Sequence, residues 1–380
     1  MERKPIGLYI HIPFCRQKCL YCDFPSFAGK EGLMQGYVDA LTKEIEKRAR
    51  EYADRTVVSV FFGGGTPTTL TIPMLQQLME ALWKNWRVEA GAEITTEANP
   101  GTLNREMAEA LREMGFNRLS MGVQAWQNHL LKELGRIHTI EVFQENYRAV
   151  REAGFQNVNV DLMFALPRQT MEEWQETVKN IVSLSPEHLS AYSLIIEEGT
   201  PFFDKYKRGE LLPAEEELDR EMYHWAVEYL NEIGYEQYEI SNFAKKGKQS
   251  RHNRIYWQAE EYLGMGLGAH SYLDQERFHN GYDLEEYIRA AGEGSLLKEE
   301  AESISEADAM AECMFLGLRL TEGISFARFR QRFGKEMKEV YGRQIEELTE
   351  TGLLEEAADG VHLTKRGIDI SNLVFEKFLF

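Results

Sequence analysis

Residues 10–27 read IHIPFCRQKCLYCDFPSF, and three cysteines stand in the middle of this segment, separated by four and by three positions. An apolar run with strand character, Gly7 to Ile12, comes just before them. A loop that follows a strand can fold three thiols around one centre, and soft thiolates select zinc or an iron–sulfur cluster. The segment therefore predicts a metal centre held by Cys15, Cys19 and Cys22.

Zinc and iron–sulfur clusters differ in the number of protein ligands they need. A structural zinc ion normally has four, and no fourth cysteine or close histidine follows Cys22, because Asp23 and Phe24 come next. Three thiolates on a four-iron cluster leave one iron open for a substrate or cofactor. We therefore predict a [4Fe–4S] cluster with an open iron. A zinc site completed by a distant ligand and three incidental cysteines are the alternatives.

Away from this segment, the first half of the chain alternates short β-branched or apolar runs with longer amphipathic helical patterns, which is typical of βα units around a parallel sheet. Six strands are predicted: Gly7 to Ile12, Val57 to Phe62, Glu93 to Glu97, Arg118 to Val123, Val158 to Met163 and His188 to Leu194. Periodicity alone does not separate an open doubly wound sheet from a barrel that stops short of eight strands. In both, ligands gather at the carboxyl ends of the strands.

Three parts of the chain are predicted. Residues 1–213 form the βα core, residues 214–300 an appended lobe that completes the core, and residues 301–380 a mainly helical, winged-helix-like module. A hairpin pattern, GLLEEAADGVHLT, lies in the module. Cys313 stands among apolar residues of a helical pattern, which is typical of a buried free cysteine.

The composition is that of an ordinary folded protein with a strongly acidic balance: 380 residues, 43% hydrophobic, with a formal net charge of -19. Phosphate-rich surfaces repel a chain of this sign, which argues against a nucleic-acid partner. No run reaches the roughly 18 apolar residues of a membrane span, and the first residues lack a secretory signal pattern. Four cysteines, three of them clustered, do not resemble a disulfide framework. We expect a cytoplasmic protein without a membrane span.

The motif C-x3-C-x2-C, with Tyr21 just before its last cysteine, resembles the signature of the radical S-adenosylmethionine (radical SAM) superfamily. The resemblance implies that S-adenosylmethionine binds the open iron through its amino and carboxylate groups. It implies that the reduced cluster can split the sulfonium bond to give a 5'-deoxyadenosyl radical. It also implies a full or partial βα barrel, in agreement with the six units. The predicted fold class is therefore α/β, a partial (β/α)6 radical SAM barrel followed by the helical module.

Further motifs stand at the other strand ends, namely FFGGGTPT, TEANPGT, SMGVQ, LGRIH and NVDLMFALP. Taken singly, the glycines predict a tight turn without the Lys and Ser/Thr of a phosphate-binding P-loop, and the polar residues predict surface or capping positions. Together, the motifs resemble the coproporphyrinogen III oxidase-like branch of the superfamily. The resemblance implies contacts to one or two S-adenosylmethionine molecules from Tyr9, Tyr21, Gly64, Gly65, Thr66, Glu97, Gln124, Arg136 and Asp161.

A later glycine-rich segment, YLGMGLGAHSY at residues 262–272, invites comparison with a dinucleotide-binding fingerprint. Its glycines occur late in the chain and no helix-plus-acid pattern follows them. We predict a close backbone turn beside the active site instead.

The segment RHNRIYW at residues 251–257 resembles the H-N-x-x-Y-W motif that is associated with haem in the HemW family of haem chaperones. The resemblance implies haem contacts from His252, Asn253, Tyr256 and Trp257. Imidazole is a suitable axial ligand for haem iron, and Tyr and Trp rings pack well on a flat macrocycle. Whether His252 or another group ligates the iron stays open at this point.

Two features favour the chaperone over the decarboxylating enzyme of the same branch. The enzyme typically has a further cysteine at the position of Phe24 in this chain. It also typically has a longer N-terminal extension, whereas eight residues precede Tyr9 here. We expect a haem chaperone with a [4Fe–4S] cluster, exchangeable S-adenosylmethionine and no assigned catalytic residue. Haem is the expected cargo, and haem-accepting proteins, membrane respiratory proteins among them, are the expected partners. The alternative is an oxygen-independent coproporphyrinogen III dehydrogenase; a nicotinamide-binding oxidoreductase is a weaker third.

Overall fold

The computed structural model describes residues 3–295 and 298–379. Its first half contains the six predicted strands, and each prediction lies within an observed strand or ends one residue beyond it. The strands are β1 Lys4–Ile12, β2 Arg55–Gly64, β3 Val88–Ala98, β4 Arg118–Gln124, β5 Val158–Phe164 and β6 His188–Ser193. The helices between them are α1 Met34–Glu51, α2 Ile72–Asn85, α3 Arg105–Met114, α4 Asn128–Glu133, α5 Ile140–Glu152 and α6 Met171–Ser183.

Strands β1 to β6 pair in chain order, and all of them run parallel. Leu8 and Ile10 of β1 belong to the main hydrophobic core. Tyr9 lies between them and therefore faces the other side, where its ring stacks on Phe61 of β2 with 6.3 Å between centroids. The helix-covered face of the sheet is thus apolar, and the concave face is left to polar and aromatic side chains.

The sheet continues past both edges of this parallel core. The added strands are β7 Glu236–Glu239, β8 Asn242–Ala244, β9 Tyr262–Met265, β10 His270–Leu273, β11 Glu276–Asn280 and β12 Lys298–Ser303. The accompanying helices are α7 Pro201–Lys207, α8 Glu216–Glu232, α9 Arg251–Trp257 and α10 Leu284–Gly292. β9 pairs with β1 in parallel, and β8 pairs with β6 antiparallel. Among the described strands, β12 and β7 end the sheet without pairing with each other, which confirms the predicted partial barrel.

The C-terminal module consists of helices around a small antiparallel sheet, with the hairpin that the sequence predicts. Its elements are α11 Glu306–Gly317, β13 Ile324–Ser325, α12 Phe326–Phe333, α13 Met337–Glu350, β14 Leu354–Glu356, β15 Gly360–Leu363, α14 Lys365–Asp369 and α15 Ser371–Glu376. Cys313 is buried in the module's own hydrophobic core, as predicted. The boundaries of the three parts of the chain stay a prediction.

Glu44, on the buried face of α1, connects the barrel to the strands beyond β1. Its carboxylate accepts hydrogen bonds from the Gly266 amide at 2.9 Å, the Tyr287 hydroxyl at 2.6 Å and the Asn280 side-chain amide at 2.8 Å. Arg48, one helical turn later, lies 3.7 Å away. A single carboxylate thus satisfies buried donors from a turn, a strand and a helix.

Replacing Glu44 by Ala removes the acceptor of these donors and one of the two carboxylates beside the buried Arg48 guanidinium, which keeps Glu51. We expect Glu44→Ala to lower the free energy of unfolding by about 3 kcal/mol, and Glu44→Gln, which keeps one acceptor oxygen, to lower it by less. Urea unfolding followed by circular dichroism measures both. Glu46→Ala, on the same helix and outside this set of contacts, is the control, and an equal loss in all three variants would contradict the expectation.

Candidate functional site

The cysteine loop, residues 13–27, is fastened to the barrel by backbone hydrogen bonds. Cys15 N donates to Phe27 O at 2.9 Å, and Phe27 N donates to Pro13 O at 2.8 Å, so the two ends of the loop are joined. In its middle, Leu20 N donates to Leu134 O at 3.1 Å, in the segment after α4. The loop therefore lies over the carboxyl ends of the strands, as the sequence predicts.

All three thiols of the loop are free and half-buried. Cys15 Sγ lies 3.5 Å from Thr66 Oγ1, and Arg136 Nη1 lies 3.3 Å from Cys19 Sγ. Burial raises the pKa of the Cys15 thiol and raises that of Cys22 to about 11. Metal binding has to displace these protons, and the guanidinium beside Cys19 favours the resulting negative charge.

Three thiols on one cavity wall are chemically compatible with a cluster of iron and sulfide. Among the residues that the structure describes, no three His, Cys, Asp or Glu side chains are grouped closely enough for one metal ion. A cubane of iron and sulfide is larger than one ion and takes its protein sulfurs from a wider ring. Three free thiols on one cavity wall, close to a cation, meet that requirement.

A cavity of about 340 Å³ opens below the thiols, within the size range of small-molecule sites. Ten of the residues singled out in the sequence line it: Cys15, Cys19, Tyr21, Cys22, Gly64, Gly65, Glu97, Gln124, Arg136 and Asp161. They come from the cysteine loop, from four strands and from the segment after α4. The carboxyl ends of parallel strands meet at one edge of the sheet, which brings these distant motifs together.

The glycine run is required by close packing as well as by the cavity. A Cβ atom on Gly65 would lie 2.7 Å from the carbonyl oxygen of Phe14. Gly64 has a φ of 106°, and a Cβ atom there would lie 2.2 Å from the His11 ring. Only glycine allows the cysteine loop and β2 to approach this closely.

Two buried carboxyl groups and a guanidinium line the cavity. Glu97 accepts a hydrogen bond from the Gly64 amide at 3.1 Å, and burial, followed by the charge of Asp161, raises the Glu97 pKa to about 8. Burial also raises the pKa of Asp161. Arg136 donates to Asn99 Oδ1 at 2.7 Å and to the carbonyl of Gly122. Two carboxyl groups and a guanidinium suit a ligand that carries both an ammonium and a carboxylate.

Two predicted contact residues lie behind the cavity wall. The Tyr9 hydroxyl is hydrogen-bonded to His11 Nδ1 at 2.9 Å, and His11 Nε2 lies 2.9 Å from the Pro25 carbonyl of the cysteine loop. Thr66 accepts a hydrogen bond from Asn99 Nδ2 at 2.7 Å and lies against Cys15. Both contact the wall without lining the cavity, Tyr9 from the barrel interior through His11 and Thr66 through Cys15.

Sequence reasoning missed several residues of the cavity wall, namely Asn99, Ser120, Gly122, Met163 and Tyr192. Ser120 pairs with Glu97 and Gly122 pairs with Asp161 in neighbouring strands, whereas Asn99 and Met163 follow Glu97 and Asp161 by two positions. Tyr192 pairs in turn with Met163. Ser120 donates to Asp161 at 3.0 Å, which orients that carboxyl group. Side chains two positions apart on a strand face the same side of the sheet. Counting in steps of two from the predicted residues would have identified most of these positions.

The haem motif forms α9, which closes the base of the barrel. His252 is 1% exposed and stacks on Phe61 with 5.2 Å between ring centroids. Its Nδ1 lies 2.8 Å from Ser59 Oγ, and its Nε2 lies 2.8 Å from the Tyr256 hydroxyl. Burial, followed by the charge of Arg118, lowers the His252 pKa to about 3. The ring is therefore neutral, with both nitrogens engaged.

The remaining motif residues point elsewhere. Trp257 packs under the Arg319 guanidinium, 4.4 Å from the ring centroid. It lines a separate cavity of about 260 Å³ against the C-terminal module, together with Cys313. Asn253 is half-buried, and its backbone amide donates to the Ser250 hydroxyl at the start of α9. The motif is thus divided between the barrel interior and the module.

The chain is similar to known proteins along its whole length. Residues 9–181 match the radical SAM superfamily, and residues 304–370 match the HemN C-terminal domain. The chain is 37% identical to the protein named Heme chaperone HemW of Lactococcus lactis subsp. lactis, over 100% of this chain and 98% of that protein. It is 36% identical to Heme chaperone HemW of Bacillus subtilis, over 98% of each. The solved structure of coproporphyrinogen III oxidase (HemN) from Escherichia coli, described as a radical SAM enzyme, matches with a TM-score of 0.86 and 25% identity, covering 99% of this chain and 90% of that one.

The raised pKa of Glu97 makes the stability of the protein without ligands depend on pH. Between about pH 5 and pH 8 the folded protein keeps a proton here that the unfolded chain has released, so this group lowers the free energy of unfolding as the pH rises. We expect Glu97→Gln to be more stable than the wild type at pH 8 by about 1 kcal/mol or more, with no gain near pH 4. Urea unfolding at the two pH values tests this, with the exposed Glu113→Gln as control. A variant that gains nothing at pH 8 would refute the expectation.

Proposed function

Because the chain belongs to the radical SAM superfamily and, within it, to the family of the haem chaperone HemW, we propose that it binds haem and transfers it to acceptor proteins. In this proposal it also holds a [4Fe–4S] cluster and exchangeable S-adenosylmethionine. The observation that carries the proposal is the likeness, over the full chain, to several relatives that bear the name Heme chaperone HemW.

Cys15, Cys19 and Cys22 are the proposed cluster ligands. The contact between Arg136 and Cys19 supports this role, because a cation beside a ligating sulfur stabilises its negative charge. The Thr66 hydroxyl beside Cys15 offers a further polar partner to a sulfur. When bound, the cluster and S-adenosylmethionine supply reductive radical chemistry of the superfamily type.

The cavity below the thiols is the proposed S-adenosylmethionine site. Glu97 and Asp161 suit its ammonium group, and Arg136 suits its carboxylate. Gly64 and Gly65 keep the wall free of side chains, so that backbone groups face the ligand. Tyr21 and Gln124 contribute a ring and an amide to the same wall, whereas Tyr9 and Thr66 act from behind it.

Haem binding by the RHNRIYW motif stays a proposal. The contacts of His252 in the barrel interior limit how this residue could bind the haem iron. Ligation of iron by His252 has to replace one of its hydrogen bonds, to Ser59 or to Tyr256. Such an exchange offsets part of the energy of an iron–nitrogen bond, so the net affinity is modest. A chaperone benefits from modest affinity, because tightly held cargo is not released.

Haem-accepting proteins, membrane respiratory proteins among them, are the proposed partners, and the cytoplasm is the proposed location. No described helix is both long enough and apolar enough to cross a bilayer. The strongly acidic composition, with a formal net charge of -19, supports a partner surface of the opposite sign.

The second candidate, oxidative decarboxylation of coproporphyrinogen III, is favoured by one observation, the structural match to the Escherichia coli oxidase. The two reactions differ in their consequences for the porphyrin. A decarboxylase converts propionates to vinyl groups, whereas a chaperone releases its cargo unchanged. The absence of a cysteine at Phe24, where the decarboxylating enzyme typically has one, favours the chaperone.

Anaerobic reconstitution with iron and sulfide tests the cluster ligands. We expect about four irons and four sulfides per wild-type chain and a change in the electron paramagnetic resonance spectrum of the reduced protein when S-adenosylmethionine is added. Cys15→Ala, Cys19→Ala and Cys22→Ala should each lose most of the iron, because three thiolates are the minimum for a stable open cluster. Cys313→Ala, in the core of the module, should keep it. Normal iron content in the three loop variants would refute the assignment.

Two parallel assays separate the chaperone from the decarboxylase. When haem-loaded protein is mixed with an excess of an apo haem protein, haem should move to the acceptor within minutes. The Soret band of the acceptor complex should then replace that of the haem-loaded protein. Under reducing anaerobic conditions with S-adenosylmethionine, coproporphyrinogen III should remain unchanged. Formation of protoporphyrinogen would favour the decarboxylase, and haem that stays bound indefinitely would count against transfer.

A further inference from the structure

Two histidines of the glycine-rich segment and its partner strand stand side by side. His270 of β10 and His279 of β11 are direct register partners, and their rings are 4.9 Å apart between centroids at 35°. The Tyr282 ring packs 5.0 Å from that of His279, and its hydroxyl lies 2.9 Å from His270 Nε2. His270 is exposed, whereas His279 is buried.

This group lies beside the cysteine loop, at the opposite end of the barrel from His252. β9 runs parallel to β1, β10 pairs antiparallel with β9, and β11 pairs antiparallel with β10. The start of β10 and the end of β11 therefore lie at the level where β1 ends and the cysteine loop begins. A Cβ atom on Gly268 would lie 2.7 Å from the Tyr282 ring and 3.7 Å from Pro25 Cγ of the loop. The glycine turn thus packs Tyr282 and Pro25 close together.

The chemical state of His270 suits ligation of iron. Partial burial of the ring, followed by nearby His279 and Arg277, lowers the pKa of His270, which favours the neutral ring at pH 7. A neutral imidazole is the form that binds a metal. Ligation at Nε2 displaces only the hydroxyl of the exposed Tyr282, whereas ligation at His252 breaks a bond in the barrel interior.

His279 is placed to hold the His270 ring in position. Its Nδ1 donates to the Asn280 carbonyl at 2.9 Å, which fixes the orientation of the ring against which His270 packs. Its Nε2 lies 3.5 Å from a carboxylate oxygen of the exposed Glu300. The separation of 4.9 Å between the ring centroids leaves no room for a macrocycle between the two imidazoles, so only the exposed His270 can face incoming haem.

The surroundings match a flat anionic macrocycle. Tyr282 is 48% exposed and Phe24, next to Pro25 in the cysteine loop, is 60% exposed, so aromatic surface is available on both sides of the glycine turn. Lys18 Nζ donates to the Phe24 carbonyl at 2.9 Å and, among the residues described, has no carboxylate partner. It offers a positive charge to a propionate on the same loop.

We propose that His270 is the axial ligand that first receives the iron of incoming haem, at an entry surface formed by His270, Tyr282, Phe24 and Lys18. This inference rests on the proposed haem function. It places the first contact of haem with the protein beside the cysteine loop rather than at the base of the barrel. Haem binds here through one iron–nitrogen bond on an exposed surface. Such a site exchanges its cargo readily, as transfer to a further protein requires.

Titration of the anaerobically reconstituted full chain with haem tests the proposal. His270→Ala should weaken haem binding about tenfold or more and shift the Soret band of the complex, and added imidazole should restore the band by replacing the missing ring. His270→Gln, which can still hydrogen-bond to Tyr282 but ligates iron poorly, should behave like His270→Ala. His129→Ala, which removes an exposed histidine from α4, should titrate as the wild type does.

The outcomes separate this inference from the function on which it rests. If the wild type binds haem and both His270 variants bind it with the same affinity and spectrum, His270 is not the ligand, although the chaperone proposal stands. If His252→Ala alone abolishes the Soret shift, the ligand is at the base of the barrel and the entry surface is refuted. If the wild type shows no saturable binding, the proposed function itself fails. Unchanged cluster absorbance and far-ultraviolet circular dichroism in the His270 variants exclude misfolding.

Discussion

The pairing of β1 with β2 beyond the ends of both strands is the constraint on which the site depends. Gly65 N donates to Ile12 O at 2.9 Å, and Thr66 N donates to Phe14 O at 2.8 Å. These two bonds continue the parallel register into the cysteine loop and hold it over the glycine run. The spacing between the thiols and the cavity follows from them, because a side chain at Gly64 or Gly65 would collide with His11 or with the backbone of the loop.

Below this level, the barrel interior is a continuous set of polar and aromatic contacts. From the base upward it runs through Ser59, His252, Phe61, Tyr9 and His11 to the Pro25 carbonyl of the cysteine loop. Buried polar groups are costly unless each has a partner, and here each imidazole nitrogen has one. Any change of partner at His252 therefore disturbs contacts that extend to the loop. An exposed imidazole at the rim, such as His270, can change partner without that consequence.

The Glu97 carboxyl of the cavity has opposite effects on folding and on binding. Burial and nearby Asp161 favour the neutral form of this carboxyl, so between about pH 5 and pH 8 it lowers the free energy of unfolding. A cationic ligand group reverses this preference by supplying the missing positive charge. The site is thus built at some expense of stability, as is common where binding groups are held away from water.

The cysteine spacing, the six βα units, the helical module and the buried Cys313 were all predictable from the sequence, because spacing and periodicity are local properties of the chain. The contacts of His252 with Ser59, which is 193 residues distant, were not, because they depend on the register of strands and on how α9 closes the barrel. For the same reason, the sequence pattern of the haem motif did not reveal that both nitrogens of its histidine are engaged. Nor did the pattern reveal that His270 and His279 meet across two antiparallel strands. The sequence by itself determines which histidines the chain carries. Tertiary packing decides whether the partners of each imidazole lie in the barrel interior, as at His252, or at the exposed rim, as at His270.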